Sequence, residues 1–231
     1  MSRKFTLIGL LVGLVAAFSA VTANAAMAAP HWNVNGSPLG AGETAAVAEK
    51  VELSGASTLT VPGLNITLHC TELNAHNGFI EGPDTGEVES LGFSNCEVEK
   101  APGCQVQSFG APAGTINTDS VTGRLETIKT AKDGEVTYAM FTPVEAEFVF
   151  IEITRKAGGG GCGVSGEYEV EGTAALKVNT GTNATYLEGE ASQTLQEASG
   201  QTLLFGAKPS FLTATGKLML AEAGSTVGVG L

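Results

Sequence analysis

Leu64-Asn65-Ile66-Thr67-Leu68-His69-Cys70 alternates strictly, with Leu64, Ile66, Leu68 and Cys70 on one side and Asn65, Thr67 and His69 on the other. A period of two marks a strand with one buried face, and here the cysteine shares the buried side. Residues 162–178 carry the pattern further. Cys162, Val164, Tyr168, Val170, Ala174, Leu176 and Val178 share one parity, and Ser165, Glu167, Glu169, Glu171, Thr173 and Lys177 the other. Gly166 and Gly172 interrupt the apolar face and predict a bend, a bulge or two strands in succession. Val136, Tyr138 and Met140 begin another alternating segment. Residues 148–151, Phe-Val-Phe-Ile, are apolar on both parities, which predicts a central strand covered on both faces.

Working outward, residues 51–53, 59–61, 79–81, 88–93, 105–109, 125–129, 202–205 and 212–220 also read as strands, with turn signals such as Glu81-Gly82-Pro83-Asp84 and Ala101-Pro102-Gly103 between them. With 31 glycines, 43% hydrophobic and only 16% charged residues, the composition suits short strands joined by turns rather than helices or disorder. The fold class expected is all-β, an antiparallel β-sandwich or jelly-roll-like arrangement. Residues 43–50 and 186–199 are the two segments with some helical character. Gly189 and Thr194 argue for reading the second as a loop with one helical turn. The glycine run 158–161 reads as a mobile loop between strands.

The first 28 residues combine a basic start (Arg3, Lys4), an uncharged apolar run over 7–18 and small-residue patterns at Ala23-Asn24-Ala25 and Ala26-Met27-Ala28. That is the layout of a cleaved secretory signal peptide. The apolar run is about half of the ~20 residues a membrane-spanning helix needs. Residues 29–231 then form the exported part, read as a single domain. Its compartment is extracellular or the cell envelope, and no L-P-x-T-G sorting motif decides between release and retention. Removing Arg3 and Lys4 with the leader moves the formal net charge from −12 to −14. An acidic chain with no Lys/Arg cluster beyond Arg155-Lys156 is unsuited to binding phosphate backbones, so no nucleic-acid partner is expected.

The four cysteines, Cys70, Cys96, Cys104 and Cys162, all lie in the exported part, and an even number there predicts two disulfides. Three connectivities are possible. Chain order favours Cys70 with Cys96 and Cys104 with Cys162, since a Cys96–Cys104 link would need a tight hairpin around Pro102-Gly103. Zinc is not expected, because alternation turns His69 away from Cys70, His76 stands apart and no C-x-x-C occurs. Residues 161–166 match G-x-G-x-x-G, but a strand pattern follows where a dinucleotide site needs a helix. No nucleophile elbow, zinc-protease motif or phosphate loop is present, and no cofactor is expected.

Carboxylates are the abundant reactive groups. Glu167, Glu169 and Glu171 would project from one strand face at intervals of roughly 6.6 Å, which overlaps glycosidase carboxyl spacings but is shared by any strand with alternating glutamates. Asp84 and Asp119 sit in turn contexts that suit a turn former better than a calcium ligand.

His31-Trp32-Asn33-Val34-Asn35-Gly36, opening the exported part, together with the glycine-punctuated strands and inward Cys70, resembles secreted β-rich proteins of high-GC actinobacteria. The resemblance implies a bacterial exported β-protein and carries no catalytic residue across. The function expected is a non-enzymatic structural or binding module, with recognition at the loops around 79–86 and 158–161. An extracellular carbohydrate-active hydrolase using paired carboxylates, and an envelope adhesin or assembly subunit, are the alternatives. Non-reducing peptide mapping of the exported protein should find an N-terminus created near Ala25 or Ala28 and no free thiol. An intact leader or four free thiols would overturn the compartment.

Overall fold

The computed structural model describes residues 29–130 and 134–231, so the signal peptide read at residues 1–28 lies outside the described residues. Among the described residues the chain is antiparallel β-structure with one α-helix, Gln193–Ser199. The alternation that opened the sequence reading appears as the strand Ile66–Cys70. Ile66, Leu68 and Cys70 are buried, while Thr67 and His69 are half-buried on the opposite side. It pairs with Ser57–Val61 on one edge and Glu97–Val98 on the other.

The main sheet curls until its ends meet. Thr44–Ala46 pairs with Phe79–Glu81, then Thr85–Val88, Val121–Thr130, Gly134–Pro143, Ala174–Val178, Leu187–Ala191 and Lys208–Leu218 follow in hydrogen-bonded order. The last strand returns to the first segment through Lys50–Leu53 and a bridge between Val47 and Leu220. Every pairing in that circuit is antiparallel, and closure removes the free edges that invite aggregation.

Lys208–Leu218 also belongs to a second curled sheet. Its first half pairs with Leu203–Phe205 and Ser57–Val61, and from Leu203–Phe205 the sheet continues through Gly166–Gly172 and Glu147–Arg155 to Cys104–Ser108. A smaller four-stranded sheet caps one end. In it His31–Val34 lies between Ser37–Pro38 and Val227–Gly230, which in turn pairs with Gly181–Ala184. The all-β antiparallel fold expected from the sequence is therefore present, as large curled sheets that share the strand Lys208–Leu218.

Two segments differ in detail from the sequence reading. Phe148, Val149 and Ile151 are buried, but Phe150 is 47% exposed, beside Phe109 at 83%. The strand is central, as expected, yet only one face is covered. A register shift between Glu147 and Val149 explains the apolar run, because a bulge turns two successive residues, Phe148 and Val149, toward the core. The strand covered on both faces is Gly134–Pro143. Its Val136, Tyr138 and Met140 pack with Ala175 and with Leu195 of the helix, while Ala139 joins the core on the other side. The helix follows the strand Leu187–Ala191, is capped by the Ser192 hydroxyl accepting from the Leu195 N–H at 3.3 Å, and stops at Gly200. Residues 43–50 contribute to strands, not to a helix.

Disulfides join Cys70 to Cys96 and Cys104 to Cys162, the pairing that chain order favours. The second bridge ties down the glycine run read as a mobile loop. Arg155 donates to the Gly159 carbonyl at 3.0 Å, and a Cβ on Gly103 would stand 2.8 Å from the Gly161 carbonyl oxygen, so only glycine allows the loop to close there.

Replacing Cys104 and Cys162 together by serine frees a loop of sequence separation 58 and should cost about 4 kcal/mol, against about 3.5 kcal/mol for the separation of 26 at Cys70 and Cys96. Urea unfolding of both double variants checks the order. A larger loss from the shorter loop would locate the effect in native-state packing.

Candidate functional site

Backbone register stacks small residues on the inner wall of the closed sheet. On Leu187–Ala191 the inward series is Leu187, Gly189, Ala191, and on Lys208–Leu218 it is Leu212, Ala214, Gly216, Leu218. Pairing places Gly189 opposite Gly216 and Ala191 opposite Ala214. A second glycine pair, Gly86 with Gly123, lies across Thr85–Val88 and Val121–Thr130. Of these four glycines only Gly189 leaves room for a side chain, since a Cβ at Gly216 or Gly123 would stand 3.3 Å from Val51 or Phe141. The curled sheet holds a cavity of about 280 Å³ that spans the two largest clusters of core residues.

The wall is hydrocarbon. Leu53, Leu73, Leu91, Phe93 and Phe141 line it and remain only partly buried although they point inward. Trp32, the single tryptophan, closes the end under the four-stranded cap, where its indole N–H donates to the Thr85 carbonyl at 2.7 Å. Thr118 uses its hydroxyl to accept the Leu91 N–H at 2.9 Å. Ser57 is the other hydroxyl in the lining. The two charged residues in the wall, Glu87 and Arg124, alternate with the core residues Val88, Val121 and Leu125 and therefore point outward. Arg124 is 65% exposed and holds Asp84 at 3.1 Å.

Of the residues singled out from sequence, Cys70 lines the cavity, and the carboxylates and histidines lie elsewhere. Glu167, Glu169 and Glu171 stand on the outer face of Gly166–Gly172, opposite Glu152, Phe150 and Glu147 respectively, and none lines the cavity. Gln107 donates to Glu152 at 3.2 Å. Asp84 is engaged by Arg124, Cys70 by its disulfide, and His76 by Glu49 at 3.0 Å. The G-x-G-x-x-G match runs into a strand. Of the two loops expected to recognise a ligand, the hairpin over 79–86 contributes Phe79, Ile80 and Gly86 to the cavity, whereas 158–161 contributes nothing to it. A shallow hollow of about 390 Å³ lies on the outer surface between Phe109 and Phe150.

Comparison with protein families, with curated proteins and with solved structures finds no match, so any functional reading rests on this geometry.

A Cβ at Gly189 would meet only the Leu176 side chain, at an ordinary 3.5 Å, whereas one at Gly86 would lie 2.7 Å from the Phe79 carbonyl oxygen. Gly189→Ala should therefore stabilise the protein by about 0.5–1 kcal/mol, and Gly86→Ala should destabilise it. Thermal unfolding of both variants decides. A destabilised Gly189→Ala would mean that the space beside it is not open.

Proposed function

We propose that residues 29–231 act as one exported binding module that carries a small apolar molecule inside the curled sheet. The observation that carries this reading is the cavity itself. At about 280 Å³ it is nearly twice the ~150 Å³ of an apolar cavity that holds benzene. Leaving such a space empty forgoes on the order of 6–7 kcal/mol of packing at ~24 cal/mol per Å³. That is a large share of the roughly 5–15 kcal/mol by which domains are stable at all. A ligand that fills it restores those contacts and adds stability by mass action.

Other features agree with a carrier. The leader and the two disulfides suit an extracytoplasmic compartment, in line with the resemblance to exported actinobacterial proteins. The glutamates that a hydrolase would need lie on an outer sheet face, away from the cavity. The edges of the cap sheet, Ser37–Pro38 and Gly181–Ala184, are short, and Pro38 lacks an N–H, which disfavours assembly by strand addition.

Trp32 lines the cavity and is the only tryptophan, so its fluorescence reports occupancy. Titration with the neutral fluorophore N-phenylnaphthylamine should give saturable, one-to-one quenching of Trp32 with energy transfer to the probe. Gly189→Leu, which fills the cavity from its wall, should abolish the signal. Ala214→Val offers the same block with a smaller change. Absence of saturable binding to the wild type, or undiminished binding to both folded variants, would overturn the reading.

A further inference from the structure

We infer that the ligand is an uncharged, chain-like molecule, with no carboxylate, phosphate or ammonium headgroup. This rests on the cavity being a binding site and concerns what that site accepts.

Charge is the first constraint. Both ionised residues in the wall turn their side chains to solvent, and Arg124 is already committed to Asp84. Inside, the Trp32 N–H is spent on the Thr85 carbonyl, which leaves the hydroxyls of Ser57 and Thr118, the latter also accepting the Leu91 N–H, as the polar points in the lining. A hydroxyl can serve an alcohol, ester or ketone oxygen. Two neutral hydroxyls cannot replace the hydration of a full charge, whose unpaired burial is prohibitive.

Shape is the second. The inward series Leu212, Ala214, Gly216, Leu218 lines the same cavity along one strand, a run of roughly 20 Å at strand rise. A lining that runs that far along one strand favours an extended chain, which touches it throughout, over a compact cage, which would leave most of it uncovered.

Displacement of N-phenylnaphthylamine from the wild-type protein by dodecanol, methyl dodecanoate, dodecanoate and adamantanol, at neutral pH and below micelle formation, tests both constraints. Dodecanol and methyl dodecanoate should compete, and dodecanoate, with the same chain, should be at least about a hundredfold weaker. Adamantanol should be weaker than dodecanol. Dodecanoate matching its ester, or adamantanol matching dodecanol, would overturn this inference while leaving the cavity a binding site. Failure of the fluorophore itself to bind would instead remove the reading beneath it.

Discussion

Closure of the sheet is the constraint on which the rest depends. Once Lys208–Leu218 pairs with both Leu187–Ala191 and Lys50–Leu53, the backbone circuit fixes an internal volume that side chains must fill, because the walls cannot move together. In an open sandwich a glycine pair facing inward lets the layers move together, and the cost of the missing side chains falls as the site collapses. A hydrogen-bonded ring cannot relax that way without breaking ladder bonds. Gly189 therefore leaves open space, whereas Val51 and Phe141 already cover Gly216 and Gly123.

The same closure separates the two electrostatic regimes of the molecule. Glutamates are confined to outward parity, to the point that Glu152 faces Glu167 and Glu147 faces Glu171 directly across neighbouring strands. Like charges so placed disfavour the pairing by a few tenths of a kcal/mol up to about 1 kcal/mol each, a small penalty when water screens them. The inner face carries no ionised side chain among the described residues of the cavity wall. The charge of the described wall thus serves the outside, where it favours dispersion of the chain.

Much of this architecture is legible in the sequence, and the parts that are not have identifiable causes. Ile66, Leu68 and Cys70 follow their alternation into the core, and the disulfide pairing is the one of three that chain order favours. Phe150 does not, because a bulge at Glu147–Val149 imitates the pattern of a doubly buried strand, and alternation cannot distinguish the two. Gly189 reads as a helix breaker in its own segment, and Gly216 falls within the strand segment 212–220. Both share parity with Leu187 and Leu218, and a small residue at apolar parity is the trace a cavity leaves in a sequence. Nothing local tells whether such a gap will be filled from across the sheet. That depends on register, which long-range pairing sets.

The cap shows how late the site is completed. Trp32 can close the cavity only when His31–Val34 has paired with Val227–Gly230, bringing together residues from opposite ends of the described chain. Contacts of such long sequence separation form after local hairpins such as Val121–Thr130 with Gly134–Pro143, because the loop they close carries the larger entropy cost. The ring does not need the cap for its own hydrogen bonds. Its strands pair with one another, whereas the cap adds Trp32, Val227 and Val229 to the core at one end. A cavity walled by one set of pairings and capped by another can be opened at the cap without unravelling the wall, which gives a ligand a physical route in and out.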